Sequence, residues 1–189
     1  MRYQIVGIAG ALGLTLSVAF AALSHENALH PRPMEEMQGD CSNFRWDMSQ
    51  EFALWEAEAT EVEASTSADA APVVELSTRY TVALHPHGGV AFAVTPEKDR
   101  GGEDRFSGLL KFEVPGDGLY RISASSGVWV DVLTDHAVVK STGFEMQTKC
   151  TTVFKSVAYL LSGGDTAILQ FNGSRDPHVD IAVTSEPTN

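Results

Sequence analysis

Positive charge is scarce in this chain. It carries 13 lysines and arginines against 25 aspartates and glutamates, a formal net charge of −12. If Arg2 leaves with an N-terminal leader, the balance becomes 12 against 25, or −13. Such a surface repels phosphate backbones, which excludes nucleic acid as a partner class. Cysteine is scarcer still, with only Cys41 and Cys150. No Cys-x-x-Cys pair occurs, and no histidine stands within a few residues of either, which argues against a thiolate metal site. Catalytic signatures are missing too. There is no Gly-x-Ser-x-Gly elbow, no P-loop and no Gly-x-Gly-x-x-Gly before a helix. The carboxylates have no spacing that sets two of them across a cleft as acid and base, so no catalytic residue is assigned. No Asp-x-Asp-x-Asp-Gly loop organises Glu56, Glu58, Glu61 and Glu63 around calcium, and that stretch reads as a solvated linker.

What is present begins at the N-terminus. Arg2 precedes an uncharged run from Ile5 to Leu23, and Ala19-Phe20-Ala21 offers small residues where a signal peptidase reads. Residues 1–21 are therefore expected to be a signal peptide. The run approaches the ~20 residues that span a bilayer, so an uncleaved membrane anchor is the alternative. Either way the body is placed outside the cytoplasm, in the periplasm. In an oxidising compartment, two lone cysteines most simply form one disulfide, Cys41–Cys150. Residues 22–40 read as a flexible tether. Residues 41–72 read as a helix and a linker: Met48, Phe52 and Trp55 recur at i, i+4, i+7 and predict a short amphipathic helix over Asp47–Glu58, with Asp47 or Ser49 capping its start.

From residue 73 to the C-terminus the pattern is β. Ser107–Leu133 holds three alternating runs: Leu110, Phe112 and Val114; Tyr120, Ile122 and Ala124; Val128, Val130 and Val132. Period-two alternation buries one face of each. With the turn tetrad Pro115-Gly116-Asp117-Gly118 between the first two, they read as a β-meander. Further strands are expected at Arg79–His85, Val90–Thr95, Ala137–Ser141, Thr152–Leu161, Ala167–Asn172 and Val179–Thr184, with inward triplets Val157, Tyr159, Leu161; Ala167, Leu169, Phe171; and Val179, Ile181, Val183. About eight short strands with no crossover helices predict an all-β antiparallel sandwich of jelly-roll-like type.

Two constellations invite a functional reading. His85-Pro86-His87 places imidazoles at i, i+2, which on a strand face one way and can share a divalent metal ion. Pro86 equally ends strand pairing and starts a turn that merely carries two histidines. The second constellation is Trp129, Asp131, Asp135 and His136. A tryptophan beside a carboxylate on an outer strand face suits a sugar or peptide ligand, though it also suits a cross-strand pair, and Asp135-His136 reads as well as a hairpin turn. Asn172-Gly173-Ser174 matches the glycosylation triplet and also a turn.

The segments 82–98, 107–114, 115–123, 128–133, 154–164 and 168–174, with the early cysteine and the tryptophan-bearing helix near Trp55, resemble a group of small exported proteobacterial β-sandwich proteins of unestablished function. Some of these carry the name homogentisate 1,2-dioxygenase. That enzyme binds iron through two histidines and a glutamate, and no such triad can be placed here. Members of the group often have histidines before the second cysteine, whereas Ser141–Lys149 has none. The resulting expectation is a non-catalytic exported module that binds an unknown ligand or a periplasmic protein and needs no cofactor. The alternatives are a metal-dependent enzyme and an accessory subunit held at the inner membrane by the uncleaved N-terminal helix.

Overall fold

The computed structural model describes residues 33–186, and the expected signal peptide, or anchor, lies outside them. Among the described residues, one α-helix, α1 (Ser49–Glu56), precedes all of the strands. The strands are β1 (Thr60–Glu63), β2 (Arg79–Ala83), β3 (His85–Pro86), β4 (Phe106–Glu113), β5 (Gly118–Ala124), β6 (Trp129–Thr134), β7 (Ala137–Val139), β8 (Gly143–Met146), β9 (Lys155–Leu161), β10 (Thr166–Ser174) and β11 (His178–Ser185). They form two sheets, ordered β1-β2-β11-β5-β9-β8 and β3-β4-β10-β6-β7. Every pairing is antiparallel except β1 with β2, which is parallel.

The alternating triplets are the core. All six sets point into one apolar cluster shared by both sheets, with Phe112, Phe171, Ile122 and Ile181 fully buried. Each such side chain stabilises the fold by roughly 1.5–3 kcal/mol relative to exposure.

The meander is corrected. β4 and β6 belong to the second sheet and β5 to the first, so consecutive runs never pair. β4 pairs with β3 and β10, β5 with β11 and β9, and β6 with β10 and β7. Alternation specifies which face is buried and leaves the hydrogen-bonded neighbour open, because inward faces of both sheets are equally apolar. The turn at Pro115 carries the chain across, and Tyr120 Oη donates to Gly116 O at 2.7 Å to hold it.

Other boundaries shift for identifiable reasons. Val90–Thr95 is no strand: its backbone is engaged mainly by side chains of the sheet beneath it. The supposed linker contributes β1 and bridges from Ser65 and Ser67. The described part of the tether also packs. Met37 is buried, and Met37 O and Gly39 O accept from Thr148 N and Lys149 N at 2.9 and 3.0 Å. Cys41 and Cys150 form the disulfide, with Cα atoms 4.5 Å apart.

α1 is two residues shorter at each end than its sequence pattern suggests. Asp47 Oδ1 accepts from Ser49 N at 3.0 Å just before its first turn. Met48 and Trp55 pack on Val153 and Ala182, on the outer side of the first sheet. Glu51 is buried there as well, accepting from Thr184 Oγ1 at 2.8 Å beside the Arg121 guanidinium at 3.5 Å.

Candidate functional site

The outer face of the second sheet is where sequence and structure meet on function. β6 and β10 pair so that Asp131 stands opposite Gln170, and Trp129 opposite Asn172. These positions alternate with the core triplets and so point outward. Yet Asp131, Gln170 and Asn172 are all buried. The chain between β3 and β4 lies over them, and they clasp it. Gln170 Oε1 accepts from Ala93 N (3.0 Å) and Val94 N (3.4 Å), while its amide donates to Val94 O (3.1 Å). Asp131 Oδ2 accepts from Glu97 N (3.4 Å) and from Gln170 (3.3 Å). Asn172 donates to Lys98 O (2.7 Å). A covering loop has no ladder of its own, so the sheet's side chains satisfy its backbone.

The structure brings Trp129 and Asp131 together: the indole Nε1 donates to Asp131 Oδ1 at 2.6 Å. It leaves Asp135 and His136 elsewhere. Both have positive φ, 49° and 61°, and form the two-residue hairpin turn joining β6 to β7. That is the geometry of a type I′ turn. Three strand residues separate Asp131 from Asp135, four steps that span about 13 Å along an extended backbone.

His85 and His87 also serve different segments. Pro86 closes the two-residue β3, and His87 starts a 3-10 turn. His85 Nε2 lies 2.6 Å from Ala64 O and 3.8 Å from Glu63 Oε1. His87 Nδ1 lies 2.9 Å from Ser107 Oγ, with its ring against Phe92. Among the described residues, no group of three or more histidines, cysteines or carboxylates is placed to hold a metal ion. Asn172, the glycosylation candidate, is fully buried.

Beside the clasped loop lies a cavity of about 910 Å³ that pattern reading did not find. Four segments line it: Lys98–Gly101 with Arg105, Ser126–Val128, Phe154, and Gly173 with Arg175 and Asp176. The loop comes close enough only because residue 173 is glycine. Gly173 has φ +75°, and a Cβ there would stand 2.4 Å from Arg100 O. Asp99 Oδ1 accepts from Gly101 N at 2.9 Å and shapes the loop tip. The Trp129 ring supports the loop's cations from below, with Lys98 Nζ 4.8 Å and the Arg100 guanidinium 5.7 Å from its centroid.

The electrostatics of this corner run against the acidic chain. Four of the 13 lysines and arginines line one cavity, with Asp99 and Asp176 as the acidic members of its lining. Behind the wall, Lys155 is buried and its Nζ donates to Val128 O. Burial first, and then the Arg100 charge, push its ammonium from the ordinary 10.5 down to about 8, against the pull of Asp131. Tyr159 donates to Val130 O at 3.0 Å. Burial first, then Asp131 and Glu97, hold its phenol well above the usual value.

The missed residues are thus Lys98, Arg100, Arg105, Arg175 and Lys155. One signal was visible: three of the few cations fall within Lys98–Arg105. The contribution of Arg175 depends on tertiary placement alone. No protein-family model and no curated protein matches this chain, so the site is read from its own residues.

Proposed function

We propose that this chain is an exported, non-catalytic binding module, a jelly-roll-like sandwich that holds a small ligand in the cavity beside Lys98–Arg105. The observation that carries the reading is the cavity itself: about 910 Å³, walled by four separate segments and within the size range of small-molecule sites. Export to the periplasm is supported by the leader-like N-terminus and by the Cys41–Cys150 disulfide, a bond that persists in oxidising compartments. Among the described residues, no helix is long and apolar enough to cross a membrane. The likeness to small exported β-sandwich proteins fits the same reading.

Two measurements test it. The exported chain is expected to have an intact mass that starts near Ala22 and contains one disulfide. In a thermal-melting screen, at least one small-molecule class is expected to raise the midpoint, with the rise lost in Phe154→Ala. Turnover of a substrate that a single histidine or carboxylate substitution abolishes would refute the reading.

A further inference from the structure

The proposed binding role leaves the ligand's chemistry open, and the cavity wall narrows it. Resting on that reading, we propose that the cavity takes a small anion with two or more acidic groups, held by Arg100, Arg105, Arg175 and Lys98. Four cations line one concavity and only Asp99 and Asp176 oppose them there. Like charges gathered on one concave wall repel one another and attract an anion.

The cations are not consumed by other duties. Arg175 has no hydrogen-bond or ion-pair partner among the described residues and projects from the turn after β10, where Ser174 Oγ binds both the amide and the carbonyl of Asp176. Lys98 and Arg100 rest on the Trp129 face, which binds a cation without supplying an acceptor oxygen. Arg105 has Asp104 at 3.7 Å, beyond hydrogen-bond length, on a largely exposed carboxylate. Behind the wall, the buried Lys155 adds a cation whose facing charges are Arg100 and Asp131.

The remaining lining sets the size and polarity of the guest. Ser126 belongs to the same wall, and its hydroxyl is buried without a protein partner. Phe154 supplies an apolar side beside Gly127, so a monovalent ion such as chloride would leave most of the volume unfilled. A metal cation is disfavoured by the wall's own charge. A long polyanion would meet the acidic remainder of a −12 chain.

Calorimetric titration at pH 7 in 150 mM salt tests this with citrate, pyrophosphate, acetate and maltose as probes. Citrate, pyrophosphate or both are expected to bind at one site, with acetate at least tenfold weaker. The tighter of the first two distinguishes a carboxylate from a phosphate ligand. Arg175→Gln and Arg105→Gln are each expected to weaken that binding at least fivefold. Arg175→Gln should leave the melting midpoint unchanged, because that side chain supports nothing else. The arginine Nε–H resonances of Arg100, Arg105 and Arg175 should shift with the bound fraction. The assignment is overturned by the absence of saturable binding of citrate and pyrophosphate, by acetate binding equally well, or by binding that neither variant changes. Maltose binding without anion binding would overturn the anionic class while leaving the binding module standing.

Discussion

The two sheets hide their outer faces by different physics. The first is covered by α1, whose inner turns satisfy their own backbone, so that the sheet bonds only its ends: Arg79 donates to Trp55 O and Ala57 O, and Arg121 to Asp47 O. It can therefore dock through apolar side chains, Met48 and Trp55 on Val153 and Ala182, and it is tied down near its start by Cys41–Cys150. The second is covered by irregular chain between β3 and β4. That chain must find partners for its amides and carbonyls, and buried polar residues of the sheet supply them: Asp131, Gln170 and Asn172. A helix packed on apolar residues leaves a closed surface. A loop held at a few backbone points can stand off the sheet elsewhere, and the basic cavity opens where it does.

The largest expected effect lies on the helical side. Replacing both cysteines by serine frees a loop with a sequence separation of 109. The chain-entropy estimate for such a loop is ~4–5 kcal/mol, an upper figure. Urea denaturation should show the loss. Hydrogen exchange should show it first at α1, with amides at Ala93 and Val94 protected as before. Equal loss at both places would break the contrast between the two covers.

Next comes Lys155, which sits in the first sheet but feels the charges of the second cover. Its proton is lost near pH 8 in the fold and near 10.5 in the unfolded chain. Below pH 8 both states are charged, and the cost of burying the ammonium is fully present. Between 8 and 10.5 the unfolded chain holds a proton that the folded one does not, so stability rises with pH by roughly 3 kcal/mol. Melting midpoints of the native chain and of Lys155→Met across this range measure it. The variant should lose the rise, and an identical slope in both proteins would remove Lys155 from the account.

The smallest effect sharpens the loop side. Gln170→Ala removes the partner of Ala93 N and Val94 N, at a cost of about 1–3 kcal/mol. Exchange protection should fall at Ala93 and Val94 and stay unchanged in α1. If α1 loosens as well, the covers are not independent.

The core was legible because strand alternation is local. Phe112, Ile122, Phe171 and Ile181 each sit in a period-two run, and burial follows from that run whatever the partner strand. The partner strand was not legible. β4 and β5 are adjacent in sequence, carry the same pattern and lie in different sheets. The site divided similarly. Trp129 and Asp131 stood out as outward residues on a strand, and they do point outward. Their burial came from the distant segment 93–98, whose docking no local pattern encodes. Asp135-His136 was readable as a turn because it lies between two strand patterns two residues apart.

By itself, then, the sequence determined a mostly β chain, the faces of its strands, its acidic balance and the only possible disulfide pair. Each of these depends on residue identity or on neighbours along the chain. Tertiary structure alone decided which sheet each strand joins, that Asp131 and Gln170 clasp a loop, and that Arg175 and Arg100 line one cavity. The loop contacts join residues 34 to 77 positions apart, brought together only by burial of the shared core and by the need of covering backbone for hydrogen-bond partners.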